Sequence, residues 1–199
     1  VGLGVMNLHG HLVANGIRYG SEASIQFIDK FMEAMNYYSL KASVQIAKET
    51  GETFYRYEDS DYANGAYFDK YVKRDELALC AQAKQALGNV PFITQEEWQQ
   101  LKMEVQQYGL FHSYRLAVAP TGSISYIRSC TPSIAPITER VEIRDYADSR
   151  TIYPMPFLTD DNAALYEEAY NIDPFKLIDV YAAAQKHVDQ GISMTLYVT

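Results

Sequence analysis

Cysteine is scarce in this chain of 199 residues, basic charge is in deficit, and no apolar run reaches the length of a membrane span. Each shortage excludes a class. The two cysteines, Cys80 and Cys130, stand far apart and outside any C-x-x-C spacing, so they give neither a disulfide framework nor a zinc site. A reducing cytosol suits such a chain, and a cytoplasmic location is expected. A net charge of −8 and a pI near 5.0 leave nothing to attract a nucleic-acid backbone or an anionic membrane surface. An anion would need a local pocket. No Gly-Lys-Ser/Thr follows Gly122, so a Walker-type nucleotide loop is excluded. Val1 to Met6 shows no signal-peptide order of basic, apolar and small residues. Both that stretch and the strand-like Ile192 to Val198 read as interior chain, as if cut from something larger. Repeats and low-complexity tracts are missing.

What remains suits a folded domain or a large piece of one, with 48% hydrophobic residues and 17 tyrosines whose rings can be buried while their hydroxyls seek partners. The densest chemistry lies in Ala119-Pro-Thr-Gly-Ser-Ile-Ser-Tyr-Ile127. Upstream, Tyr114, Leu116 and Val118 alternate with Arg115 and Ala117 at strand period, and Pro120 stops the ladder. Gly122 permits a positive φ or a close approach of backbone to a ligand, and Thr121, Ser123 and Ser125 add hydroxyls to the free amides of a tight turn. With a helix or half-turn starting at Ile124, Pro120, Thr121, Gly122, Ser123, Ile124 and Ser125 could cradle an anion. The same residues also describe an ordinary turn that holds nothing, and the residues alone leave both readings open.

Elsewhere the pattern predicts helices. Leu8 to Val13 forms a short helix ended by Asn15-Gly16; its His9 and His11, two apart, point to different sides and do not make a metal site. Ser21 caps a long helix with Ile25, Ile28, Phe31, Met32, Met35, Tyr38, Ala42 and Ile46 inward, stopped by Gly51. Glu52 to Tyr71 is a tyrosine-rich loop with short helical pieces and a solvated acidic face. Asp75 caps a helix carrying Leu77, a buried Cys80, Ala83 and Leu87. Thr94 and Glu97 form a capping box for a helix with Trp98, Leu101, Val105 and Tyr108 inward.

Phe111 to Ala119 is read as a strand, and Ser129 to Pro136 as a second hydroxyl-rich loop facing the same site. Cys130 in that loop is a weak nucleophile candidate, with no activating base nearby in sequence. Glu139 to Arg144 alternates charged and apolar residues, and Tyr146 to Arg150 is a polar connector. The prolines in Tyr153-Pro-Met-Pro156 bar it from a central strand. A helix is expected over Asp161 to Tyr170, and another from Asp173-Pro174 with Leu177, Ile178, Tyr181, Ala184 and Val188 inward, running to Gly191. A buried strand over Ile192 to Val198 would complete half of a βαβ unit. The fold class is α/β, with helices covering a mixed or parallel sheet.

Three stretches together resemble the large (alpha) subunits of aerobic ribonucleoside-diphosphate reductases, most closely class Ib: Gly2-Leu-Gly-Val-Met-Asn-Leu-His-Gly10, Ala119 to Ile127, and His187-Val-Asp-Gln-Gly-Ile-Ser193. The likeness extends over essentially the whole chain. It implies that residues 1 to 199 are the C-terminal part of the catalytic domain, a helix-rich segment with few strands from a ten-stranded α/β barrel. It implies further that Pro120 to Ser125 bind the substrate's diphosphate, and that the whole enzyme reduces ribonucleoside diphosphates to 2'-deoxyribonucleoside diphosphates for DNA synthesis.

By the same resemblance, the thiyl-radical cysteine and its asparagine and glutamate neighbours lie upstream of Val1, as does the specificity effector site. The radical-relay tyrosines and C-terminal redox cysteines lie beyond Thr199. Tyr37, Tyr38, Cys80 and Cys130 match none of these, so no catalytic residue and no cofactor is expected in the segment, which alone should be inactive. The full enzyme would need a small beta subunit with a dimetal tyrosyl radical, a glutaredoxin-like or thioredoxin-like dithiol reductant, and a homodimer of large subunits. A non-catalytic anion-binding or interaction module of the same barrel ancestry is the alternative.

Overall fold

A computed structural model of the chain describes residues 2–75 and 78–198, with Tyr146 described by its backbone alone. One long helix organises it. α2 (Glu22–Thr50) starts where Ser21 accepts from the Ser24 amide at 3.3 Å and stops at Gly51, whose φ of 70° carries its amide back to Ala47 O at 2.8 Å. Its first half, through Phe27, Ile28 and Met32, packs on α4 (Ala81–Leu87) and α7 (Pro174–Gln185). The second half, through Tyr37, Leu40 and Val44, packs on Trp98, Leu101 and Val105 of α5 (Gln95–Tyr108). α1 (Leu8–Ala14) adds Leu8 and Leu12 to the first cluster, while Val13 joins Ile137, Met155 and Tyr166 in a third. α3 (Asp69–Val72), α6 (Ile124–Ile127) and three 3-10 turns complete the helical part.

The expected capping box is present, with Thr94 and Glu97 each accepting from the other's amide. Asp173 likewise caps α7 with Pro174 as its first residue. Burying tyrosine rings requires partners for their hydroxyls, and these are found: Tyr19 donates to Ile134 O, Tyr57 to Val105 O and Tyr166 to Pro156 O, all within 2.8 Å. No helix among the described residues is long and apolar enough to cross a membrane.

Strands are fewer than the pattern suggested. β1 (Val141–Tyr146) and β2 (Ser149–Pro154) pair antiparallel across a turn at Ala147 and Asp148, so the polar connector is shorter than Tyr146 to Arg150. This is the one sheet among the described residues, and it is not parallel. Phe111 to Ala119 bends at Phe111 and Ser113 and forms only a single parallel bridge, Leu116 with Leu3. Ile192 to Val198 is mostly exposed rather than a buried strand: it joins no ladder among the described residues, and only Ile192 and Tyr197 pack against the first core cluster. A strand is a property of a pair, and residue pattern reports on one member only.

Several helix assignments also move. Cys80, not Asp75, caps α4; its Sγ accepts from Ala83 N and its own amide is held by Gln26 Oε1 at 2.8 Å, leaving it half-buried at the helix start. The proposed inward Leu77 lies outside the described residues. Asp161 to Tyr170 holds turns and a 3-10 segment, Ala169–Asn171, because Asn162 bonds Thr159 N and Phe157 O and so competes with a helix. α7 ends at Gln185 instead of Gly191, and its inward face is Leu177, Val180, Tyr181 and Ala184, with Ile178 on the outside.

On α2 the stripe is displaced: Tyr37 is 5% exposed and Tyr38 46%, while Ala42 is also outside. Polar residues occupy part of the true seam. Glu33, Asn36 and Ser43 are all buried, and each has a partner. Asn36 bonds Tyr67, Tyr71 and Arg115. Arg115 in turn pairs with Asp189 at 2.7 Å, with side-chain exposures of 4% and 2%. His187, beside Asp189, bridges Tyr71 and Asp29, both at 2.9 Å. Burial works against ionising Asp29, but the bonds from His187 and Lys186 outweigh it and bring its pKa down to about 2.

Removing one member of the buried ion pair strands the other charge, so Arg115→Ala should cost about 3–5 kcal/mol. Urea unfolding would measure it. Arg56→Ala, which breaks an exposed pair with Asp59, should leave the midpoint unchanged. Equal midpoints for the two variants would contradict this account.

A pH dependence follows from His9, which is fully buried, accepts from Ile137 N at Nδ1 and bonds Leu165 O through Nε2. Burial, partly offset by the Leu165 bond, lowers its pKa from 6.5 to about 4. Between those values the unfolded chain holds a proton that the native one does not, so stability falls as pH drops through that window, by about 3 kcal/mol in full. Burial shifts His187 the same way, whereas Asp29 acts below this range. Urea midpoints should decline from pH 7 to 4.5, with the His9 ring still neutral by NMR at pH 5. A flat profile would refute the assignment.

Candidate anion-binding loop

The segment that enters the loop is held on two sides. Leu3 N donates to Arg115 O at 2.8 Å and Ala117 N to Leu3 O at 3.0 Å, while Leu116 and Val118 sink into the first core cluster. Pro120 then emerges at the surface, and Thr121 turns the chain with a φ of 50°. The left-handed residue is therefore Thr121, not Gly122. A β-carbon on Gly122 would meet nothing within 4 Å, so glycine there is not required by the protein's own backbone or packing.

The loop's polar groups divide into two sets. Ser125 is buried: its amide donates to Thr121 O and its hydroxyl to Gly122 O, both at 3.0 Å, closing the turn on itself. The Thr121 hydroxyl accepts from Ser133 N at 2.7 Å and keeps its own proton to donate. Gly122, Ser123 and Ile124 are exposed at the head of α6, where amides precede the first intrahelical bonds. Those three amides, with the hydroxyls of Thr121 and Ser123, are the groups available to an incoming anion.

The second hydroxyl-rich loop lies against the first, as expected. Cys130 N donates to Ser125 O at 3.1 Å and its thiol approaches the same oxygen at 3.7 Å. Burial raises the Cys130 pKa, which disfavours the thiolate a nucleophile needs. Beside them is a cavity of about 230 Å³ bounded by Ser125, Tyr126, Cys130 and the 153–156 segment. Tyr126 forms its wall, bonded to Glu142 and Arg144, with the Arg144 guanidinium 4.1 Å from its ring centroid. No group of three or more His, Cys, Asp or Glu side chains suited to a metal ion gathers among the described residues.

Residue pattern brought the two loops together correctly but missed what supports them. Asn7, Thr131, Arg115 and Asp189 all bond the loops or the strand-like segment feeding them. Asn7 lies in the Gly2–Gly10 stretch and, as an asparagine, tolerates the left-handed φ of 73° it adopts. Asp189 likewise lies in the His187–Ser193 stretch, but nothing local marks it and Arg115 as partners across 74 residues.

Comparison with known proteins bears on this geometry. The family model described as the barrel domain of ribonucleotide reductase matches residues 1–199. The chain is 49% identical over 198 residues to the ribonucleoside-diphosphate reductase subunit alpha of Bacillus subtilis, covering all of this chain and 28% of that protein. It is 41% identical over 206 residues to the corresponding subunit of Mycoplasma pneumoniae, again 28% of its length. It is 31% identical over 201 residues to that of Treponema pallidum, 21% of its length. The chain thus spans about a quarter of the length of these relatives. With a helix-rich architecture, two strands among the described residues and a whole-length family match, the chain belongs to the ribonucleotide reductase barrel-domain family.

Proposed function

We propose that this chain supplies the diphosphate-binding loop of a class Ib ribonucleoside-diphosphate reductase large subunit, as one part of its α/β barrel. The observation that carries the reading is the division within Pro120 to Ser125: Ser125 is spent on holding the turn, while the amides of Gly122, Ser123 and Ile124 stay at the surface. Three amides and two hydroxyls within one short loop suit the oxygens of a phosphate, and bonds to a charged acceptor are the stronger kind. Space above Gly122 lets the phosphate approach the backbone.

The loop's task is positional. Fixing the diphosphate of a ribonucleoside diphosphate orients its ribose toward the radical chemistry, which lies with residues outside this chain, and remote binding energy is converted into rate that way. The whole protein would then reduce ribonucleotides to deoxyribonucleotides in the cytoplasm, as a dimer of large subunits. It would work with a radical-generating small subunit carrying the dimetal tyrosyl radical and a glutaredoxin-like or thioredoxin-like dithiol. Neither Cys80, which caps α4, nor Cys130, with its raised pKa, takes a chemical role.

Gly122→Val is a clean probe, since the side chain enters open space on the protein side and fills the anion's place. In the full-length enzyme it should raise the substrate KM and cut kcat/KM by roughly ten- to a hundredfold, the worth of one or two charge-assisted bonds. The thermal midpoint should not move. Ser125→Ala should act more weakly and through the turn. Cys130→Ser should turn over near the wild-type rate; if it abolished turnover while Gly122→Val behaved as wild type, the loop would have to yield its role to the cysteine.

A further inference from the structure

The motif Gly2 to Gly10 has no part in the anion loop itself, yet the Asn7 side chain and the amides of Asn7, Leu8 and Gly10 reach the segment that backs that loop. Asn7 N donates to Thr131 O at 2.8 Å, and Asn7 Oδ1 accepts from Thr131 N at 3.0 Å and from the Thr131 hydroxyl at 3.4 Å. The same hydroxyl oxygen accepts from Gly10 N at 3.1 Å, and Leu8 N donates to Ser133 O at 3.4 Å. Thr131 is fully buried. Gly10 is required here: a β-carbon on it would lie 2.3 Å from Asn7 Oδ1. Two residues on, Ser133 N holds the Thr121 hydroxyl oxygen at 2.7 Å.

Four residues of this assembly that are not glycine, Asn7, Thr121, Ser129 and Ser133, adopt left-handed φ of 73°, 50°, 48° and 50°. Such conformations persist only where surrounding bonds over-determine them. Here the bonds run in sequence from Asn7 to Thr131, along the chain to Ser133, and from Ser133 to Thr121, the residue whose turn presents Gly122, Ser123 and Ile124.

We infer that Asn7 and Thr131 are positioning residues of the diphosphate loop: they clamp residues 131–133 so that Ser133 holds Thr121 in its left-handed turn and the three following amides converge. The inference rests on the anion-loop reading above and assigns a role to the Gly2–Gly10 motif. Neither residue touches the ligand; both act through Thr121.

The test uses the full-length large subunit, isotope-labelled over the residues of this chain, and inorganic pyrophosphate, followed by amide NMR and calorimetry. Pyrophosphate should shift the wild-type amides of Gly122, Ser123 and Ile124. Thr131→Val keeps the shape and removes the hydroxyl, and Asn7→Gly keeps the left-handed backbone and removes the acceptor. Each should weaken pyrophosphate binding about tenfold and move the three amide resonances of the free protein, with the Trp98 indole signal unchanged. Thr131→Ser should restore wild-type binding, which a purely packing role would not predict. Wild-type binding by Thr131→Val and Asn7→Gly, alongside loss in Gly122→Val, would overturn the clamp and leave the loop reading standing. No pyrophosphate shift at Gly122 to Ile124 in the wild type would remove the loop reading and the clamp with it. A measurement on the wild type alone covers the case where a variant does not fold. Coupling is reciprocal, so saturating pyrophosphate should slow hydrogen exchange at Gly10 and Thr131, and unchanged exchange there overturns the clamp.

Discussion

The carboxylate of Asp189 is the constraint around which this structure is arranged. A buried carboxylate is tolerable only when its lone pairs are met, and here all four sites are used. Oδ2 accepts from the amides of Arg115 and Leu116 at 2.6 and 2.8 Å, and Oδ1 from Arg115 Nη2 and the Tyr62 hydroxyl at 2.7 and 3.1 Å. Arg115 brings the opposite charge and spends its remaining donors on Ser39, Tyr62 and Asn36. One carboxylate just beyond α7 thereby fixes α2, the tyrosine-rich loop and the segment entering the anion loop.

That arrangement explains the missing strand. Residues 111–119 have strand period, but a ladder needs successive amides and carbonyls directed at a neighbouring chain. The amides of Arg115 and Leu116 are already committed to Asp189, so pairing with Leu3 is limited to one bridge. Here a side chain does what a second strand would do. The segment then delivers Pro120 and Thr121 at a place set by α7 and α2 rather than by a sheet.

The same competition decided what could be read from residues alone. Features closed within a few positions were legible: the Ser21 cap, the Thr94–Glu97 box, Asp173-Pro174, and the turn that makes Pro120 to Ser125 a candidate site. Features resting on distant partners were not. The face of α2 was legible at Ile28 and Met32 but not at Tyr38 and Ala42, because apolar periodicity assumes a greasy seam, whereas Glu33 lies there bonded to Trp98 and Arg74, and Asn36 to three partners from distant segments. The likeness of three stretches to a reductase family supplied the barrel, which periodicity could not, and is the source of the role proposed for the loop. It was silent on Arg115, whose burial depends on an aspartate 74 residues away.

Buried polar seams of this kind restrict the fold more than they stabilise it. Slipping α2 by one turn against its neighbours would still set apolar residues in part of the seam, at the packing cost of unlike shapes such as Ala23 and Phe27. It would, however, leave Glu33 or Asn36 buried without a partner, at a penalty of several kcal/mol of the order known for orphaned buried charges. Register is therefore set by hydrogen bonds and filled in by packing. For the anion-binding role proposed for the loop this matters: displacing a donor by a fraction of an ångström degrades a charge-assisted bond. The loop can be exposed and glycine-containing, open to a ligand, because the residues behind it, from Thr131 and Ser133 to Arg115 and Asp189, have one satisfied arrangement each.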